Sequence, residues 1–181
     1  MTDALYEKTI SSEQIYDGKI IKLKVDTVQL PNGHTAKREI VTHQGAVAVL
    51  PLTSDGKMIA VRQFRKPLEK TIVEIPAGKL EIGEEPIVCA VRELEEETGF
   101  KARQLEHHSS FYTSPGFANE LLHLYIATDL YEGVYHPDED EFVETVHLTL
   151  EEAKALLAQG EICDAKTVLA IVAWENRVLS K

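Results

Sequence analysis

"GKLEIGEEPIVCAVRELEEETGF", residues 78–100, is the stretch whose reading decides the fold. From Glu84 to Thr98 it has helical spacing. Ile87, Ala90, Val91 and Leu94 form an apolar stripe, Pro86 lies near the first turn and Gly99 stands just past the end. Glu93, Glu95, Glu96 and Glu97 crowd the last turn. A helix C-terminus already carries about half a negative charge, so each carboxylate there costs ~0.3–1 kcal/mol. The arrangement therefore asks for a cation.

Outward from this helix the chain reads as strands. "KIIKLKVDTVQL" alternates near period two, "PNG" turns and "HTAKREIVTH" returns, which predicts a hairpin over 18–43. "GAVAVLPL" and "MIAVRQF", joined by "TSDGK", read as a second hairpin, and "TIVEIPAG" as a strand that stops at Pro76. "SSFYTS" and "ELLHLYIATDL" are strands around the loop "PGFAN". "TLEEAKALLAQG", with Thr149 as cap and Gly160 as stop, and "DAKTVLAIVAWENRVL" are amphipathic helices. Strands around a central helix, with two further helices at the end, predict an α+β domain with helices on both sides of a mixed sheet. The N-terminal antiparallel β-hairpin region cannot bury its apolar face alone, so it is expected to lie on the main domain or on a second subunit. The boundary is placed between residues 1–43 and 44–181.

A chain of 181 residues, 44% hydrophobic, has room for one good core. Its formal net charge of -11 opposes binding to nucleic acid or an anionic membrane, and an anionic substrate would need a cation as intermediary. The start "MTDALYEKTI" has no signal-peptide pattern and no apolar run approaches a membrane span, so the expected location is the cytoplasm. Cys89 and Cys163 form no metal knot or disulfide framework, and Cys89 reads as a buried thiol. The adjacent His107 and His108 read as surface residues.

On a helix Glu93 and Glu97 are neighbours on one face, with Glu96 at its edge, and Glu95 is expected to face solvent. Such hard oxygen ligands suit Mg²⁺, with Mn²⁺ possible, and an ion turns their repulsion into coordination. Arg92 can hold a glutamate bidentately, and Gly78 lets the preceding loop approach the helix. A solvated acidic helix end is the bland alternative. The spacing decides against it: Gly78, five residues, Glu84, seven residues, Arg92-Glu93-Leu94, one residue, Glu96-Glu97, one residue, Gly99-Phe100. With the apolar Leu94 and Phe100 left aside, seven fixed letters match by chance on the order of 10⁻⁸ at a given start.

This pattern resembles the box of the Nudix hydrolase family without a departure. The resemblance implies an α/β/α sandwich and metal-dependent hydrolysis of a nucleoside diphosphate linked to another group. It implies Glu93, Glu96, Glu97 and the carbonyl of Ala77 as metal ligands, Glu84 as a supporting or secondary ligand, and Gly78, Arg92 and Gly99 as structural members of the box. Pro115, sixteen residues after Gly99, and the stretches "KREIVTHQGAVAVLP", "VRQFRKPLEKTIVEIPAGKLE" and "DEDEFVE" are similar to the ADP-ribose pyrophosphatase branch. That likeness implies substrate contacts at Arg38, Glu39 and Arg65, a ribose pocket shaped by Ser114, Pro115 and Gly116, and hydrogen bonding by Glu120. For the two arginines and Glu120 a plain surface charge is the other reading. Tyr16 is implied to stack on adenine, with a packing role as its alternative. In the 138–141 loop Glu139 is implied as general base and Glu141 as a metal contact, against the reading of a solvated acidic loop. A homodimer is expected. NADH, sugar nucleotides or dinucleoside polyphosphates are alternative substrates, and a non-catalytic ADP-ribose-binding module is the alternative class.

Overall fold

Asn32 and Gly33 make a tight turn, Gly33 with φ of 85°, and so close the hairpin between two alternating runs. The computed structural model describes residues 3–136 and 142–180. In it β1 (Lys8–Asp17), β2 (Lys22–Gln29) and β3 (Thr35–Thr42) form an antiparallel sheet in the order β1-β2-β3. The sequence reading supplied β2 and β3 but not β1. All ten β1 residues are exposed, and its register shifts between Thr9 and Ser11 and between Gln14 and Tyr16. These irregularities break the period-two pattern by which a strand is recognised.

The chain falls into two compact units. The first runs to Gly45 and takes in Phe111–Leu121; the second is Ala46–Ser110 with the residues from Leu122 onward. Segment 111–121 belongs with the first unit through backbone bonds to the end of β3. Val41 N donates to the Phe117 carbonyl at 2.8 Å, and Asn119 N to the Val41 carbonyl at 3.2 Å.

The second unit contains β4 (Ala46–Pro51), β5 (Met58–Arg65), β6 (Lys70–Glu74), β7 (Ala77–Lys79) and α1 (Pro86–Thr98). It continues with β8 (Phe100–Tyr112), β9 (Leu121–Glu132), β10 (Val143–Leu148), α2 (Leu150–Gln159) and α3 (Ala165–Leu179), with residues 111, 112 and 121 of β8 and β9 counted in the first unit. One sheet has the order β7-β4-β9-β8, with β4 antiparallel to β7 and parallel to β9. The other has the order β10-β5-β6. The expected hairpin of 45–64 is thus corrected. The turn survives as Thr53 N donating to the Lys57 carbonyl at 2.9 Å, and the strands touch through one bridge, Leu52 to Met58. β4 already has a neighbour on each edge, so β5 has no free ladder to join.

Helix α1 lays Cys89, Ala90 and Leu94 on Val47, Val49, Tyr125 and Ala127. The predicted stripe is corrected in part: Ile87 and Val91 are 49% and 47% exposed. The buried side is made by Cys89, Ala90, Glu93, Leu94, Glu97 and Thr98. Two carboxylates on the inward face rotate the helix away from the purely apolar solution. Helix α2 starts with the capping box of Thr149 and Glu152 and stops at Gly160, φ 76°, and α3 starts at the Asp164 cap. Among the described residues no helix is long and apolar enough to cross a membrane.

Leu94→Ala should destabilise the protein by about 2–5 kcal/mol in urea unfolding, whereas Val91→Ala should stay within about 0.5 kcal/mol. Equal effects would show that the helix is turned as the apolar stripe alone suggests.

Candidate active site

Gly78 sits where β7 passes over α1. A Cβ at this position would fall 1.8 Å from Cδ of Glu93, so only glycine leaves room for that carboxylate. Glu93 is 8% exposed and Glu97 2% exposed, both on the inward face of the helix. Glu97 is tied to the strand by the Ala77 amide, which donates to its Oε2 at 3.1 Å. The turn between β6 and β7 and the last two turns of α1 therefore define one another.

Arg92 is the internal cation of the acidic turn. Its Nε and Nη2 donate to the two oxygens of Glu84, both at 3.1 Å, a bidentate pair. Its Nη1 donates to Glu93 at 2.7 Å and to Glu96 at 2.8 Å. This hydrogen bonding holds the Glu84 carboxyl at about 2, far below its ordinary value, and the Glu84 bond raises the arginine further. Burial pushes the Cys89 thiol up, so it is inert. Glu95 departs from its expected solvent-facing role. It accepts from Lys101 at 3.0 Å and from the Val134 amide at 3.1 Å, and the lysine lowers its pKa. The excess charge at the helix end is thus spread over Arg92, Lys101 and two backbone amides.

Arg65, at the end of β5, donates from Nε to Glu74 at 2.5 Å. Burial lowers its pKa, but the Glu74 bond and the charges of Glu74, Glu97 and Asp164 together raise it. Glu74 also binds Lys166 of α3. Glu74 and Lys166 are absent from the sequence reading. The available signal was a charged residue inside the otherwise apolar run "TIVEIPAG".

In the first unit, Arg38 is clamped by Glu7, Nη2 to Oε1 at 2.5 Å and Nε to Oε2 at 2.8 Å. Glu39 follows it on β3, so the two side chains point to opposite faces. Tyr16 is exposed on β1, and its ring lies so close to Gly18 that a Cβ there would meet it at 2.3 Å. Ser114, Pro115 and Gly116 form a turn closed by the Ala118 amide donating to the Ser114 carbonyl at 2.9 Å. Glu120 accepts from Thr113 at 2.6 Å and lies 3.6 Å from Nδ1 of His43. Ala77, Gly78, Glu84, Arg92, Glu93, Glu96, Glu97, Gly99 and Arg65 belong to the second unit. Glu139 and Glu141 lie outside the described residues.

Among the described residues no three His, Cys, Asp or Glu side chains close around a single point. Glu93, Glu96 and Glu97 stand instead along one side of the helix. Hard oxygens that leave several positions to water and substrate are what Mg²⁺ and Mn²⁺ prefer, and the space preserved at Gly78 is filled by one of those carboxylates. The donor set fits a divalent ion.

A mixed sheet, a helix ending in carboxylates and a glycine that admits one of them define a Nudix domain, and the chain belongs to the Nudix hydrolase family. A NUDIX domain model matches residues 42–170, and a nucleoside diphosphate sugar hydrolase N-terminal domain matches residues 7–41. The chain is 59% identical over 170 residues to the ADP-ribose pyrophosphatase of Bacillus subtilis (strain 168), covering 93% of this chain and 92% of that one. It is 58% identical over 167 residues to the methanol dehydrogenase activator of Bacillus methanolicus, covering 91% and 90%. The crystal structure of an ADP compounds hydrolase superposes with a TM-score of 0.87 at 23% identity, over 99% of this chain and 97% of that one, a likeness of fold.

The depressed pKa of Glu84 gives a signed prediction. Its contribution to stability is full above the ordinary carboxylate value of 4.5 and is lost as pH falls toward about 2. The stability difference between wild type and Glu84→Gln in urea should be constant above about pH 5.5 and shrink below it. A difference independent of pH would refute the Arg92 pairing.

Proposed function

We propose that this protein hydrolyses ADP-ribose to AMP and ribose 5-phosphate in the cytoplasm, using Mg²⁺ or Mn²⁺. The observation that carries the reading is the Gly78–Glu93 fit beside Glu96 and Glu97, together with the 59% identity to an ADP-ribose pyrophosphatase over nearly the whole chain. Glu93, Glu96, Glu97 and the Ala77 carbonyl would hold the ion, and Glu141 is assigned as a further contact. When bound, a divalent ion supplies positive charge to the diphosphate and acidifies the attacking water.

The chain's own residues do the remainder. Arg92 keeps Glu93 and Glu96 oriented and limits their mutual repulsion. Arg65 offers its guanidinium to diphosphate oxygens, and Arg38 and Glu39 are assigned further substrate contacts. Tyr16 is assigned to adenine, and Ser114, Pro115, Gly116 and Glu120 to the terminal ribose. The proton released by water goes to a carboxylate of the 138–141 loop, Glu139 in this reading, as the new P–O bond forms and the bond to the bridging oxygen breaks. No covalent intermediate is needed.

In the alternative reading the same centre cleaves NADH, a sugar nucleotide or a dinucleoside polyphosphate. ADP-ribose should have the highest kcat/KM of such a panel with Mg²⁺, and Glu97→Gln should lower kcat for it by at least about a hundredfold. A better substrate elsewhere in the panel overturns the choice, and full activity of Glu97→Gln overturns the metal assignment. Tight binding of ADP-ribose without AMP release would select the non-catalytic module.

The first unit carries the exposed apolar side chains Ile10, Ile15, Tyr16, Ile20 and Ile21, which supports the reading of residues 1–43 as a dimerising appendage to a catalytic domain at 44–181. Sedimentation at micromolar concentration should give twice the 20.2 kDa chain mass, and a species at the chain mass refutes the dimer.

A further inference from the structure

Glu74 is a carboxylate with 1% of its surface exposed at the end of β6, following the buried Ile72 and Val73 and preceding the buried Ile75. A buried carboxylate is costly unless it is paired, and replacement of such a pair by apolar groups is often neutral or stabilising. Packing alone therefore gives no reason for it. Its two oxygens serve two different cations: Oε1 accepts from Nε of Arg65 at 2.5 Å, and Oε2 accepts from Nζ of Lys166. Lys166 in turn donates to Asp164 Oδ1 at 2.8 Å, the same oxygen that caps α3 through the Thr167 amide at 3.1 Å. The Thr167 hydroxyl accepts from the Ile75 amide at 3.0 Å, which pins the backbone next to Glu74. The carboxylate is thus fixed from the neighbouring strand β5 and from the start of α3.

The choice of Nε matters. A guanidinium held through Nε keeps Nη1 and Nη2, a pair of donors whose spacing suits two oxygens of a phosphate group. Glu97, tied to the Ala77 amide three residues after Glu74, attracts the same guanidinium. Arg65 is a long side chain that would otherwise lose much rotamer freedom on gripping a ligand. A buried anion that holds it beforehand reduces that loss.

We propose that Glu74 is a positioning residue that aims Arg65 at the diphosphate of the substrate, with Lys166 as the second cation that makes the buried charge tolerable. This rests on the reading of Arg65 as a substrate contact. The test is a double-mutant cycle on the full chain, with ADP-ribose and Mg²⁺, of Arg65→Ala, Glu74→Gln and the double variant, together with thermal unfolding of each. Arg65→Ala and Glu74→Gln should each raise KM about tenfold with kcat within about twofold, and the double variant should be no worse than Arg65→Ala alone. If Glu74→Gln does not fold, Glu74→Asp, which keeps the charge but shortens its reach, replaces it in the cycle. An increased KM for Arg65→Ala with an unchanged KM for the Glu74 variant overturns this inference alone. So do effects that multiply in the double variant, because Glu74 then acts independently of Arg65. An unchanged KM for Arg65→Ala overturns the reading of Arg65 and the inference with it.

Discussion

One guanidinium holds the centre together. Arg92 binds Glu84 with two parallel bonds and shares its third nitrogen between Glu93 and Glu96. Without it, three carboxylates within four residues of one another would repel at the end of a helix that already disfavours them. With it, a helix face containing two buried glutamates can be packed against β4 and β9. The geometry of Gly78, the inward turn of Glu93 and the path of residues 79–84 all follow from that shared cation.

Within each unit the charged residues show a consistent division of labour. Backbone amides and arginines hold carboxylates in place, as Ala77 does for Glu97 and Arg92 for Glu84. Carboxylates in turn hold arginines, as Glu7 does for Arg38 and Glu74 for Arg65. Arg38 and Arg65, the arginines assigned to the anionic ligand, are each already engaged by a carboxylate, which restricts their motion before any ligand arrives. Restricting motion in advance improves binding because less freedom is lost on contact.

Much of this was legible in the sequence because it depends on local chemistry. The Thr149 cap, the stops at Gly99 and Gly160 and the Asn32-Gly33 turn are short-range signals, and each stands where it was read. The spacing from Gly78 to Gly99 was readable as a family pattern because close approach and helical neighbours are both fixed by position along the chain. The remainder depended on long-range partners. The separation of β4 from β5 follows from β9, some seventy-five residues further on, occupying the edge of β4. Glu95 looked solvent-facing because Lys101 and Val134 approach it only after the chain has turned back. Ile87 and Val91 misled because carboxylates ordinarily face outward, whereas here they define the inward side of the helix.

The two thiols stand in opposite surroundings. Cys89 is buried on the inward face of α1, 3.3 Å from the Arg92 guanidinium, while Cys163 is exposed immediately before the Asp164 cap of α3. A fluorophore attached through sulfur would therefore enter at a single place, one residue from the chain of charges that leads through Lys166 to Glu74. The native protein already carries an attachment point for an optical reporter of its own polar interior.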